Sequence, residues 1–340
     1  MSYILTANAG SSSLKFAVFN AGKDLELVHK QQASGALVGE LHVAQWLGDV
    51  GIKTHDLVGV GHRIVHGGTK FTAPTRVNDC VLAELQSLKA LAPLHMPFGL
   101  EVLRDLRALM PHVPHVACFD TAFHASQLDI AKRLPLPREY HARGYQRYGF
   151  HGLNYEHVVS ALGKNLPRRL LIAHLGNGAS ICAVMDGKSV ATTMGFSTAD
   201  GLVMGTRTGA IDPGVVIAML RDDQLDVDGL EDLIYRKSGL LGVSGISSDM
   251  RELLASNEKA AVEAIDYYCY HAARHAGSLI VAMGGIDAIA FTGGIGENSQ
   301  PIRDKIMSHL KWLKLGSENI RVVEANEELA IARHVGTLVL

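Results

Sequence analysis

The chain has no pair of cysteines at metal-binding or disulfide spacing. Its four (Cys80, Cys118, Cys182, Cys269) stand far apart and never form C-x-x-C. That argues against a zinc ribbon or a disulfide framework and leaves reduced thiols as the simplest reading. Nor is there an apolar run of 18 residues, and the opening MSYILTANAG lacks the basic and long apolar regions of a secretory leader. No membrane span is expected, and the compartment expected is the cytoplasm. Charge of one sign is missing too: 32 basic residues against 34 acidic ones leave a net −2, with no lysine or arginine run. Binding to nucleic acid or to a membrane surface therefore has no electrostatic footprint.

What is present is glycine at strand ends. Leu170–Ala173 reads as a buried strand, Gly176-Asn177-Gly178 as a turn, and Ile181–Met185 as a second strand. Two glycines let a backbone come close to a guest and offer it N–H groups, and an anion such as phosphate suits them. The chain begins the same way, with Ile4–Ala7, the small polar turn Asn8–Ser13, and Leu14–Phe19. A length of 340 residues suits two domains. The repeated unit predicts a duplicated α/β fold holding a nucleotide between its halves. A third strand, Ala288–Phe291, runs into a glycine turn at Thr292–Asn298, with a helix expected from Pro301.

Two common phosphate motifs fail. Gly187-Lys188-Ser189 would need glycine at position 182, which is Cys182, and GNGASI (176–181) lacks its third glycine and leads into a strand. Other residues carry more. Arg63 lies in GHRIVHGG (61–68) and Arg207 in GTRTG (205–209), each among small residues. Burying a guanidinium requires an anion. Asp120, at the end of the expected strand Val113–Cys118, is either a working residue of an open α/β sheet or a helix cap. A lone histidine such as those beside Arg63 is more often structural than catalytic. The stretch Leu134–Gly149 breaks the periodicity and reads as a junction or crossover loop, Val190–Phe196 as a strand, and Ser197–Gly214 as a long functional loop. Helices are expected over 78–91, 100–110, 215–220, 229–237, 248–256 and 258–283, the last Ala-rich with a packing face.

ANAGSSSLKF, GHRIVHGG, LAPLH, FDTAFH, YGFHG, HLGNGAS, GTRTGAIDPG, FTGGIGEN and NEELAIA occur in the order found in the acetate kinase family, which also holds propionate and butyrate kinases. The chain resembles that family from Ile4 to about Ala332. The resemblance implies a duplicated ribonuclease H-like, actin-like ATPase fold of the acetate and sugar kinase, Hsc70 and actin superfamily. It implies domains at 1–120 plus about 328–340 and at 121–327, with the active site in the cleft between them. It further implies ATP or ADP as co-substrate, Mg²⁺ or Mn²⁺, a small carboxylate substrate and a homodimer.

Carried onto this chain, the resemblance gives Asn8 and Glu327 to the metal and Lys15 to the nucleotide phosphates. His174, Leu175, Gly176, Asn177, Gly178, Asp249, Met250, Arg251, Gly294, Ile295, Gly296, Glu297 and Asn298 would line the ATP site. Arg63, Arg207 and His151 would stabilise the transition state with Asp120 beside them. Val65, Leu94, Phe150 and Thr198 would wall the acyl pocket. Four departures stand out: Met96 replaces an asparagine, Thr198 a proline and Ala210 an aspartate usual in the family, and the chain is shorter, mostly between Gly22 and Leu57. A carboxylate needs no general base, so Asp120 is expected to orient an arginine or metal-bound water. Two other readings remain: a sugar kinase, which would need a base, and an ATP-driven conformational switch.

Overall fold

The computed structural model describes residues 2–10, 13–34 and 40–340. Ser11 and Ser12 of the first small polar turn lie outside them. The chain divides into two compact units: Met1–Ala125 with Phe150–His157 and Asn326–Leu340, and Ser126–Gly149 with Val158–Ala325.

The first unit holds a six-stranded sheet. Its strands are β1 (Tyr3–Ala9), β2 (Ser13–Asn20), β3 (Leu27–Ser34), β4 (Leu57–Ile64), β5 (Thr75–Arg76) and β6 (His115–Phe119), in the order β3-β2-β1-β4-β6-β5. β1, β2 and β3 form an antiparallel meander, and β1, β4 and β6 run parallel. Period-two alternation feeds both faces. Leu5, Ala7, Phe16 and Val18 pack with Leu47 and with Val102 and Leu106 of the helix Met96–Leu109. Ile4, Ala17, Phe19 and Val116 pack with Ile331 and Val335 of the helix Glu327–Val339. The glycines of LVGVGHRI serve this second face: a Cβ at Gly61 would collide with Ile331, and one at Gly59 would meet Val335 Cγ1 at 2.5 Å.

The second unit repeats the pattern. β7 (Arg169–Leu175), β8 (Ala179–Met185) and β9 (Lys188–Thr192) form the meander, and β10 (Ala288–Thr292) and β11 (Ile320–Val322) extend it in parallel, in the order β11-β10-β7-β8-β9. Read outward from the meander, both sheets place their first five strands in the same spatial order. The helix Lys259–Met283 buries Ala261, Ala264, Ile265, Tyr268, Cys269, Ala272 and Ala276 at helical spacing. Its Tyr267 and Tyr270 are exposed.

Several local expectations change. The third glycine turn is a short helix, Gly293–Asn298, entered through Gly293 at φ +80°. The loop Leu134–Gly149 contains the helix Arg138–Ala142, and Gly239–Ser244 is a helix without a clear sequence signal. β9 stops at Thr192, short of Phe196. The helix expected from Leu100 starts at Met96, because Pro97 sits in the first turn, where its missing N–H costs nothing.

Candidate active site

Three adjacent parallel strands bring the first unit's polar residues together. Asn8 lies near the end of β1, Arg63 near the end of β4, and Asp120 directly after β6, so the carboxyl ends of the strands present all three side by side. Arg63 Nη2 donates to Asp120 Oδ2 at 2.7 Å, and Nε donates to Oδ1 and Oδ2 at 3.0 and 3.1 Å. Arg63 Nη1 donates to Asn8 Oδ1 at 3.2 Å and lies 3.4 Å from Glu327 Oε2. Asn8 Nδ2 gives its hydrogens to Glu327 Oε2 (2.9 Å) and Glu328 Oε1 (2.8 Å).

The electrostatics follow from that list. Burial works against the Arg63 charge, yet the carboxylates of Asp120, Glu327 and Glu328 hold its pKa above the usual arginine value. For Asp120, burial dominates and pushes the carboxyl up to about 6, against the pull of Arg63. Three carboxylates face one guanidinium, an excess of two negative charges in a mostly buried place. A divalent cation would balance it, and the oxygen-only donors of Asn8, Glu327 and Glu328 suit a hard ion. No group of three or more His, Cys, Asp or Glu able to hold a metal occurs among the described residues. Mg²⁺ does not need one, since it keeps waters and takes substrate phosphates alongside one or two carboxylates.

Around this cluster the backbone is tightly built. The Gly152 N–H donates to the Asp120 carbonyl at 2.9 Å, and a Cβ at Gly152 would collide with that oxygen. The preceding His151 is held at φ +59°, a left-handed conformation rare for a side-chain-bearing residue. Phe150 and Val65 are buried and Leu94 is half-buried, with the His66 ring edge-on to Phe150 at 5.6 Å. Lys15 pairs with Asn8 across β1 and β2, with an exposed side chain.

The second unit carries a cavity of about 610 Å³, a volume in the range of small-ligand sites. Gly176 and Asn177 line it from the turn after β7, and Gly294, Ile295 and Asn298 from the helix after β10. Those strands are parallel neighbours, with His174 opposite Thr292. The far wall is Asp249, Met250 and Arg251 at the start of the helix Met250–Ala255. Asp249 accepts from the Arg251 guanidinium and N–H, which hold its carboxyl down to about 2. Arg207 lies in the loop after β9, where its Nη1 donates to the Thr198 carbonyl at 3.2 Å. That loop is tied to the turn after β7, as Gly205 N–H donates to the Asn177 carbonyl at 3.2 Å.

Of the expected residues, Asn8, Arg63, Asp120 and Glu327 form one hydrogen-bonded cluster, and eight of the thirteen nucleotide positions line one cavity. His174, Leu175, Gly178, Gly296 and Glu297 are absent from its wall. Leu175 is fully buried. Met96 is buried at the start of its helix, Thr198 is buried with its carbonyl on Arg207, and Ala210 is exposed. Sequence reading missed Ser248, Leu254, Ser299 and Glu328. Leu254 falls one turn after Met250 and Glu328 beside Glu327, so helical spacing and adjacency could have found them. Ser299 Oγ is buried in the cavity wall without a hydrogen-bond partner.

The two units repeat one α/β pattern with glycine elements at the ends of parallel strands, the duplicated ribonuclease H-like fold of the actin-like ATPase class. At the level of fold alone, the solved structure of an N-acetylmannosamine kinase candidate from Listeria monocytogenes is similar, with a TM-score of 0.52 at 13% identity over 99% of each chain. A profile of the acetokinase family matches residues 31–334. An acetate kinase of Rhodopseudomonas palustris is 40% identical over 390 aligned positions, covering 98% of each chain. Among solved structures, a Francisella tularensis propionate kinase has a TM-score of 0.89 at 34% identity, covering 98% of this chain and 99% of that one. A Porphyromonas gingivalis acetate kinase has a TM-score of 0.88 at 30% identity over the whole of both. The chain belongs to the acetokinase family and is a kinase. The alignment with the Rhodopseudomonas relative is longer than this 340-residue chain, so parts of that relative face gaps here.

Proposed function

We propose that this chain transfers the γ-phosphoryl group of ATP to a short-chain carboxylate, acetate first, giving an acyl phosphate and ADP by direct in-line attack, in either direction. Propionate and butyrate are the alternative acids. The observation that carries this reading is the engagement of both Asp120 oxygens by Arg63. A kinase acting on a sugar hydroxyl needs a carboxylate free to accept the hydroxyl proton. An ionised carboxylic acid attacks unaided. What its reaction lacks is charge neutralisation, because one anion must approach another.

Arg63, fixed by Asp120, and Arg207, fixed at the Thr198 carbonyl, are the groups we assign to that neutralisation, with His151 as a further donor. Val65, Leu94 and Phe150 supply apolar surface for the acyl chain, and Thr198 is expected to bear on its length. Gly176, Asn177, Asp249, Met250, Arg251, Gly294, Ile295 and Asn298 hold ATP. Lys15 lies near its phosphates. Asn8 and Glu327, with Glu328 alongside, would hold Mg²⁺ or Mn²⁺, which when bound offsets phosphate charge. A homodimer in the cytoplasm is the expected setting.

Hydroxylamine trapping tests this reading with Mg·ATP and formate, acetate, propionate or butyrate. Acetyl hydroxamate should form fastest. Faster trapping with propionate or butyrate would reassign the acid. ATP hydrolysis without hydroxamate from any acid would favour a conformational switch and overturn the proposal.

A further inference from the structure

Glu297 belongs to the helix Gly293–Asn298, whose Gly294, Ile295 and Asn298 line the nucleotide cavity, yet its own carboxylate is spent elsewhere. One oxygen, Oε1, accepts from the Gly293 N–H at 2.7 Å and from the Ala325 N–H at 2.9 Å, with Thr292 Oγ1 at 3.5 Å. The first bond closes the entrance of the helix on itself. The second reaches 28 residues along the chain. Arg303 Nη1 fastens the other end, donating to the carbonyls of Gly296 (2.9 Å) and Glu297 (2.8 Å). The short helix is therefore clamped at both ends by side chains that take no part in its cavity face.

Ala325 is the last residue of the second unit. Next along the chain, Asn326 Oδ1 accepts from Leu329 N–H and caps the helix Glu327–Val339, and Glu327 accepts from Asn8. A single carboxylate oxygen thus joins the nucleotide-lining helix to a backbone amide two residues before Glu327. Two amides held by one acceptor oxygen cannot move independently without losing a hydrogen bond.

We propose that Glu297 is a positioning residue. Its Oε1 fixes the cavity helix and the chain at Ala325 as one piece, so that nucleotide binding and the setting of Glu327 are coupled. This rests on the assignment of the cavity to ATP and of Glu327 to the metal. Binding measurements keep the two ideas separable, since they do not need an acid substrate or turnover.

The test titrates a fluorescent N-methylanthraniloyl ATP into the full chain at several Mg²⁺ concentrations, for the parent, Glu297→Ala, Glu297→Gln and Glu297→Asp. Glutamine keeps the Oε1 acceptor, and aspartate is too short to reach both amides. Glu297→Ala should weaken nucleotide binding and raise the Mg²⁺ needed for half-maximal binding, each by about tenfold, while Glu297→Gln stays within about threefold of the parent. Should Glu297→Ala not fold, the same ordering must appear as Glu297→Asp weaker than Glu297→Gln. Glutamine as harmful as alanine, or aspartate better than glutamine, would make the negative charge itself the requirement and overturn the proposal. So would weakened nucleotide binding with an unmoved Mg²⁺ dependence, or binding by Glu297→Ala equal to the parent. If the parent binds no nucleotide, the functional reading fails first and this proposal with it.

Discussion

In the proposed reaction a guanidinium faces a carboxylate and a polyphosphate, and it can do so only while something else fixes its position. For Arg63 that anchor is Asp120, buried and bonded to Nε and Nη2. Arg63→Ala or Arg207→Ala is expected to lower kcat by at least about 10², the scale of one lost transition-state donor. Steady-state rates near the parent's in either variant would contradict the assignment. Burial lifts the Asp120 pKa above its ordinary value, up to about 6. A raised pKa means the proton binds at higher pH, so the acid limb of kcat should begin near pH 6 instead of near 4, and Asp120→Asn should remove it while lowering kcat. An unchanged acid limb in Asp120→Asn would assign that limb to another group. At this scale much was legible. A guanidinium among small residues asks for an anion, and Arg63 has one in Asp120. Ser299 was not legible, because what marks it is the partner that its buried hydroxyl lacks.

The glycine elements show where sequence reading stops at the next scale. Both strand–turn–strand units were readable from short apolar runs broken by small polar residues. GGIGEN looked like the same device, yet it is a helix, because the N–H of Gly293 is capped by Glu297 from within the same six residues. Only the folded chain brings that carboxylate back. Gly205 is another such case: a Cβ there would collide with Asn177 Oδ1 and come within 3.2 Å of the Ser248 carbonyl. Gly205→Ala is therefore expected to raise the KM for ATP by roughly tenfold, the cost of displacing a ligand-lining side chain by about 1.4 kcal/mol, with the KM for the acid unchanged. Isothermal titration with ADP checks this independently of turnover. Unaltered affinity would mean that Asn177 moves without consequence.

At the scale of the whole molecule, the duplication was the most legible feature. The motif order pointed to the family, and both sheets carry one strand order. Less legible was the role of the histidines. His62, His66, His115 and His124 are all buried in the first unit, and burial lowers the pKa of each, to about 4 for the last three. His62 Nε2 and His115 Nδ1 lie 2.8 Å apart and share a hydrogen. Since these pKa values fall below the unfolded value near 6.5, the unfolded chain binds more protons once the pH drops under it. Their contribution is complete above about pH 6.5 and is lost as the pH falls, on the order of 1–2 kcal/mol by pH 5 for each of His66, His115 and His124. Asp120, with a raised pKa, works in the opposite direction, but it is one group against four. The urea midpoint should fall between pH 7 and 5, and a flat midpoint would mean the four are charged or exposed.

In the proposed reaction the γ-phosphoryl group goes directly to a carboxylate. Phosphorus NMR of the purified chain with Mg·ATP and acetate follows that group itself. An acetyl phosphate resonance is expected to grow in step with ADP while inorganic phosphate stays at background. Inorganic phosphate rising in step with ADP, with no acyl phosphate at any time, would contradict it.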